Sequence, residues 1–262
     1  MWNIIKAQNY QIKRDNLVVY GFLAGLIIPF LGMVIGADGM DFDSMSGSEY
    51  MAESSGIFPI MLMLLALVLA SRVCGWDSVD KTINYEIMAG HSRKEVYFGR
   101  ICSTLMWTLT GGLLVMAVSL LFALAVFGWG NHMSLGALVL RIVTALFPLF
   151  RLSCEFMLLT FLLQNCYAGL VLGFVMFDVS LLTVIIYEGF TDRILTVQLA
   201  SSNLMKLFNF SNYSFEYING EDTVVYAASL EPSMLIGSIV ISLAVGVVCI
   251  VIGYIVFYRR DM

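Results

Sequence analysis

The chain has 262 residues, 60% apolar and 13% charged, with 14 basic and 19 acidic side chains and a formal charge of −5. Soluble domains are roughly 45–50% apolar and about 25% charged, so these charges are too few to coat a soluble surface, and a mean hydropathy of +0.87 agrees. A soluble fold is excluded, and so is nucleic acid binding, because no basic stripe suited to phosphate backbones is present.

A helix needs about 20 residues to cross roughly 30 Å of hydrocarbon. Six apolar runs reach that length, at about 17–37, 56–76, 101–129, 135–164, 166–187 and 233–257. The first follows a polar and aromatic lead, which makes it a retained span and not the core of a cleaved signal. One set of connections holds Lys6, Lys13, Arg14, Arg72, Lys81, Arg93, Lys94, Arg100, Arg259 and Arg260. The opposite set holds Arg193 and Lys206, while Arg141 and Arg151 stay inside the fourth run. That bias places both termini in the cytoplasm. The expectation is an all-α integral membrane fold: six transmembrane helices forming a single domain over residues 1–262.

Between the second and third runs lies WDSVDKTINYEIMAGHSRKEVYFGRI. Asp77 or Ser78 can cap a helix start, and Val79, Ile83 and Ile87 recur on one face of it. Gly90 stands where a left-handed stop belongs, and Ser92-Arg93-Lys94-Glu95 is a capping box opening the next helix. The spacing predicts a short amphipathic helix, a tight reversal and a freshly capped span. With no core to bury it, the apolar stripe calls for lipid or a partner. Mixed charges on its other face (Asp80, Lys81, Glu86) favour a protein.

Small residues line several helix faces: Gly21 and Gly25 in the first span, Gly169 and Gly173 in the fifth, and Ser238, Ser242, Gly246 and Gly253 in the sixth. Such faces let helices approach closely in lipid, either within one chain or between two copies. Arg151 and Glu155 stand at i, i+4 in the fourth span and Asp178 in the fifth. An isolated Arg at a helix centre costs about 2.5–3.5 kcal/mol on insertion scales. Matching depths predict an Arg151–Asp178 ion pair with Glu155 as a second acceptor, or else a hydrated cavity touching substrate. The segment from about 188 to 232 is aromatic-rich, and Leu199, Leu204, Leu207 and Phe208 suggest an interfacial or re-entrant helix there.

The hairpin, read as Thr82-Ile83-Asn84-Tyr85-Glu86-Ile87 followed by Gly90-His91-Ser92-Arg93, resembles the signature of bacterial type-2 ATP-binding-cassette permeases. Residues 4–14 resemble that family's N-terminal interfacial helix, and Phe257–Met262 its usual ending. The layout matches over the whole chain, the motifs over about forty residues. Arg151 and Glu155 depart from the family, whose fourth span is usually apolar.

The resemblance implies a multi-pass subunit of the bacterial plasma membrane, closest in look to the antimicrobial-peptide export or immunity group. It implies two permease copies, identical or related, with spans one, two and five near the two-fold axis, and two ATPase subunits. Val79, Ile83, Glu86, Ile87, Gly90, Ser92 and Arg93 would belong to the coupling helix and its stop, docking on the ATPase. Gly21, Gly25, Gly169 and Gly173 are candidates for helix packing or dimerisation.

No Gly-x-x-x-x-Gly-Lys-Ser/Thr phosphate loop occurs in the chain, so ATP and Mg would be held by the partner. No hydrolase elbow, His-Glu-x-x-His or metal-ligand spacing is present either. The expectation is a non-enzymatic exporter subunit, with no metal or cofactor of its own, that moves a hydrophobic or amphipathic substrate, peptide favoured. The rival readings are an ion-coupled secondary transporter using Arg151, Glu155 and Asp178, and a membrane immunity protein that binds without transporting.

Overall fold

The computed structural model describes residues 2–36, 46–76, 86–191, 196–210, 213–218, 221–226 and 229–259. An amphipathic helix, α1 (Trp2–Arg14), turns at Asp15 into α2 (Asn16–Gly36). Helix α3 (Gly47–Glu53) runs through a 3-10 turn into α4 (Ile57–Ser71), which ends in a π turn over Arg72–Trp76. The long helices α5 (Arg93–Phe127), α6 (Leu135–Leu163) and α7 (Cys166–Phe190) follow. A short α8 (Ala200–Leu207) and a hairpin of β1 (Tyr213–Ile218) and β2 (Glu221–Tyr226) precede α9 (Pro232–Tyr258).

Among the described residues, five helical stretches are long and apolar enough to cross a membrane: Gly47–Gly75, Arg93–Phe127, Leu135–Leu163, Cys166–Phe190 and Pro232–Tyr258. A shorter apolar helix over Asn16–Ile27 stands before them. This is a multi-pass membrane protein.

One start differs from the expected spans. The second begins at Gly47 instead of 56, because Ser46 and Glu49 form a capping box, and the hydroxyls of Ser54 and Ser55 bond back to Tyr50 O and Ala52 O. The third helix opens at Arg93 on the capping box of Ser92 and Glu95, as expected, eight residues before its apolar run begins at 101. Helix α6 stops at Gln164 in the left-handed conformation (φ 53°). The Asn165 side chain at once caps α7 through the amides of Tyr167 and Ala168, which makes α6 and α7 a tight antiparallel pair.

The core follows from small residues meeting large ones. Phe150 fills the surface left open at Gly246, Leu67 and Phe156 that at Gly173, and Tyr97 that at Gly253. These contacts lay α9 along α6 and α7 against α4 and α6. The buried small face of α9 (Ser238, Ser242, Gly246, Cys249 and Gly253) is therefore consumed inside the chain.

The segment between α7 and α9 combines two structures. Helix α8 dips into the bundle: the Ser201 and Ser180 hydroxyls bond each other, and Ser180 lies ten residues, about 15 Å, inside the end of α7. Asn203 Nδ2 donates to Ser238 Oγ at 2.9 Å. The antiparallel hairpin, with Tyr213 opposite Tyr226 and Ile218 opposite Glu221, was not expected. Its signal stands in the sequence as aromatics alternating at Tyr213, Phe215 and Tyr217 before Asn219-Gly220, a strong two-residue turn signal.

Candidate functional site

The hairpin before α5 is the first candidate. Val79 and Ile83 lie outside the described residues. Glu86, Ile87 and Met88 are helical, and the helix stops at Gly90 with φ 93°. The Gly90 amide donates to Ile87 O at 3.0 Å and the His91 amide to Glu86 O at 3.3 Å, the paired bonds of a Schellman stop. Ser92 then accepts from the Glu95 amide while its own amide donates to the Glu95 carboxylate at 3.1 Å. The chain reverses here with its free backbone groups satisfied.

Two contacts fasten this reversal to the bundle. Arg100, on α5 and fully shielded from solvent, donates through Nη2 to Glu86 Oε2 at 2.9 Å. Arg93 Nη1 donates to Tyr258 O at 3.1 Å, at the end of α9. Beneath them Tyr97 packs among Phe161, Tyr254 and Phe257 and donates to Ile250 O at 2.7 Å. Of the stripe of Val79, Ile83 and Ile87, only Ile87 lies among the described residues. It is half-buried and packs on the core. The exposed apolar side chain at this end of the helix is Met88, 72% accessible, which the stripe did not include.

The second candidate is the set of charges within the helices. Arg151 Nε donates to Glu155 Oε1 at 2.7 Å. The expected Arg151–Asp178 pair is not formed: Asp178 is exposed, and Arg151 Nη1 has no partner among the described residues. The cause is the rotation of α7. At about 100° per residue, Asp178 stands roughly 180° from Gly169. The bundle buries Gly169, Gly173 and Phe177, with Gly169 seated on Thr160 and Ser71. The carboxylate is thereby turned outward among the exposed Phe174, Val175, Val179 and Leu182. A cavity of about 220 Å3 lies between α6, α7 and the start of α8, lined by Glu155, Ser180 and Ser201 among apolar neighbours.

A protein-family model matches residues 10–262, nearly the full length. The chain belongs to the DUF2705 family. The description attached to that family is a protein of unknown function, so it assigns no transport role. No curated protein matches the chain.

In this DUF2705 protein the glycines divide cleanly. Gly169 and Gly173 serve packing within the chain, and a Cβ at Gly25 would meet Val115 at 3.5 Å. Gly21 faces open space and is exposed, so of the four dimer candidates it alone leaves room for another helix. Arg141 acquires a role that its position in the fourth run did not reveal. Its Nη1 donates to Leu207 O at 3.0 Å and Asn209 O at 3.4 Å, and its Cζ lies 4.6 Å from the Phe210 ring centroid. A buried cation at the carbonyl end of α8 complements the helix dipole and ties that helix to α6.

Proposed function

We propose that this DUF2705 protein is the transmembrane subunit of an ATP-binding-cassette exporter, moving a hydrophobic or amphipathic substrate outward at the expense of ATP hydrolysed on a separate subunit. The observation that carries the reading is the hairpin: a helix end with a defined stop, a capped restart, and the Glu86–Arg100 link into a long membrane helix. Such a construction suits a segment pushed from outside. The resemblance of this stretch to the type-2 permease signature adds a reason to assign the push to an ATPase.

In this reading α2 is the sixth crossing, both termini are cytoplasmic, and two permease copies pair with two ATPases that bind ATP and Mg. The outward Asp178 supports a paired assembly. A carboxylate on an otherwise apolar face is costly against lipid, and a second copy or a hydrated path along α7 removes that cost. A negative group amid apolar side chains suits an amphipathic substrate carrying positive charge, for which a peptide is the favoured class.

The test is co-expression with a candidate ATP-binding-cassette ATPase subunit, followed by reconstitution into vesicles. Met88→Asp should leave assembly of the permease intact and abolish the acceleration of ATP hydrolysis by substrate, because Met88 is exposed and supports no packing. Ile87→Asp is the poorer variant, since it disturbs the core as well. Transport by the chain alone, driven by an ion gradient, would refute the assignment. So would full coupling in the Met88→Asp complex.

A further inference from the structure

At the end of the bundle that carries Arg14, Arg72 and Arg93, the corner between α1 and α2 encloses a cavity of about 570 Å3. Its apolar wall is Ile12, Val18 and Val73, and its polar wall includes Tyr10, Arg14 and Arg72. Arg72 Nε donates to Asp15 Oδ2 at 2.6 Å, so those two charges cancel. Arg14 is exposed, and among the described residues it contacts the Tyr10 ring alone, 4.8 Å from the centroid. Among the described residues the cavity therefore carries one positive charge without a paired carboxylate, above an apolar floor.

Helix α1 sets this cavity in the headgroup layer. It buries Ile4, Ile5, Gln8 and Ile12 against the bundle and turns Trp2, Lys6, Tyr10, Lys13 and Arg14 outward. Trp107 Nε1 donates to Asn9 Oδ1 at 2.9 Å and fixes the helix against α5. An outward face of aromatic and basic side chains is that of a helix lying in the plane of an anionic membrane surface. At about 30 Å3 per water, the cavity equals some nineteen waters, far more than a bare phosphate would fill.

We propose that this corner binds an anionic phospholipid, its phosphate-bearing headgroup held by Arg14 and Tyr10 and its glycerol and first acyl carbons resting on Ile12, Val18 and Val73. The proposal does not depend on the exporter reading. Its test places the full chain in nanodiscs of phosphatidylcholine containing some phosphatidylglycerol and counts retained lipids by native mass spectrometry. Wild type should retain phosphatidylglycerol in preference to phosphatidylcholine. Arg14→Gln should lower that preference about fivefold, as expected for one basic group near a membrane surface. Lys6→Gln, on the same helix beside Trp2 but outside the cavity, should leave it nearly unchanged; both side chains are exposed, so neither variant disturbs folding. Equal retention of the two lipids by wild type would overturn the proposal. Equal losses in the two variants would also overturn it, by reducing the effect to diffuse surface charge. Displacement of the lipid by inorganic phosphate would overturn it in favour of a soluble anion.

Discussion

Replacing Glu86 by Ala tests how firmly the hairpin is tied to α5. Arg100 is wholly inaccessible and Glu86 is 24% accessible at its side chain, so the variant removes one charged partner from a shielded guanidinium. Breaking a buried pair from one side costs about 3–5 kcal/mol, and the partial exposure of Glu86 lets water replace some of the contact, which brings the expected cost to roughly 2–3 kcal/mol. At about 2–4 °C per kcal/mol for a chain of this size, the apparent melting temperature should fall by roughly 4–12 °C. The assay is thermal unfolding of the detergent-solubilised protein, followed by loss of the monodisperse elution peak. Glu86→Leu combined with Arg100→Met should recover most of the loss, since apolar replacement of both partners removes the desolvation cost along with the attraction. Wild-type melting of the Glu86→Ala protein would refute the tie, as would a double variant no more stable than the single one.

The Asp15–Arg72 pair should make the α1–α2 corner acid-sensitive. Burial pushes the Asp15 carboxyl up, but the hydrogen bond and charge of Arg72 and the Leu17 amide outweigh it and hold the group below its ordinary value of 3.8. A depressed carboxylate stabilises the fold fully above that ordinary value and loses the contribution as pH falls through the lower folded value. Melting temperature should therefore drop on acidification below about 3.8, and Asp15→Asn should remove that part of the dependence; an unchanged pH profile in the variant would contradict it. Among the glycines, Gly173→Ala should lower melting temperature and yield because its Cβ collides with Leu67 and Phe156, whereas Gly21→Ala should be neutral because nothing stands within 4 Å. Equal tolerance at both positions, measured by expression and unfolding, would overturn this division.

Local chemistry was readable from the residues, and long-range geometry was not. Gly90 and the Ser92–Glu95 box act within a few residues, so their spacing suffices to predict the reversal that the structure has. The same logic was available at Ser46–Glu49 and was missed because the surrounding segment reads as a polar connection. Asp178 shows the other limit: depth along α7 follows from counting residues, but rotation depends on which face the neighbours accept, and the glycine face won. Glu86 and Arg100 are fourteen positions apart, and Arg141 meets Leu207 across sixty-six. No periodicity links such pairs. The aromatics of the hairpin were weighed as apolar bulk, which hid their alternation.

Helix α5 runs unbroken from Arg93 to Phe127 without a proline, and close to its midpoint is the glycine pair Gly111–Gly112, where Phe22, Leu62, Leu65 and Leu149 press in from three neighbouring helices. From that pair the helix extends about 27 Å toward the hairpin and about 22 Å toward the opposite end, at roughly 1.5 Å per residue. The two arms are nearly equal in length, on either side of a point wedged by four side chains. A tilt of about 5° around the pair would carry the hairpin end roughly 2.4 Å one way and the far end about 2 Å the other. That far end packs Phe122 and Phe127 against Tyr50 of α3, so a rigid tilt about the glycine pair would press on these rings in the sense opposite to the hairpin's movement.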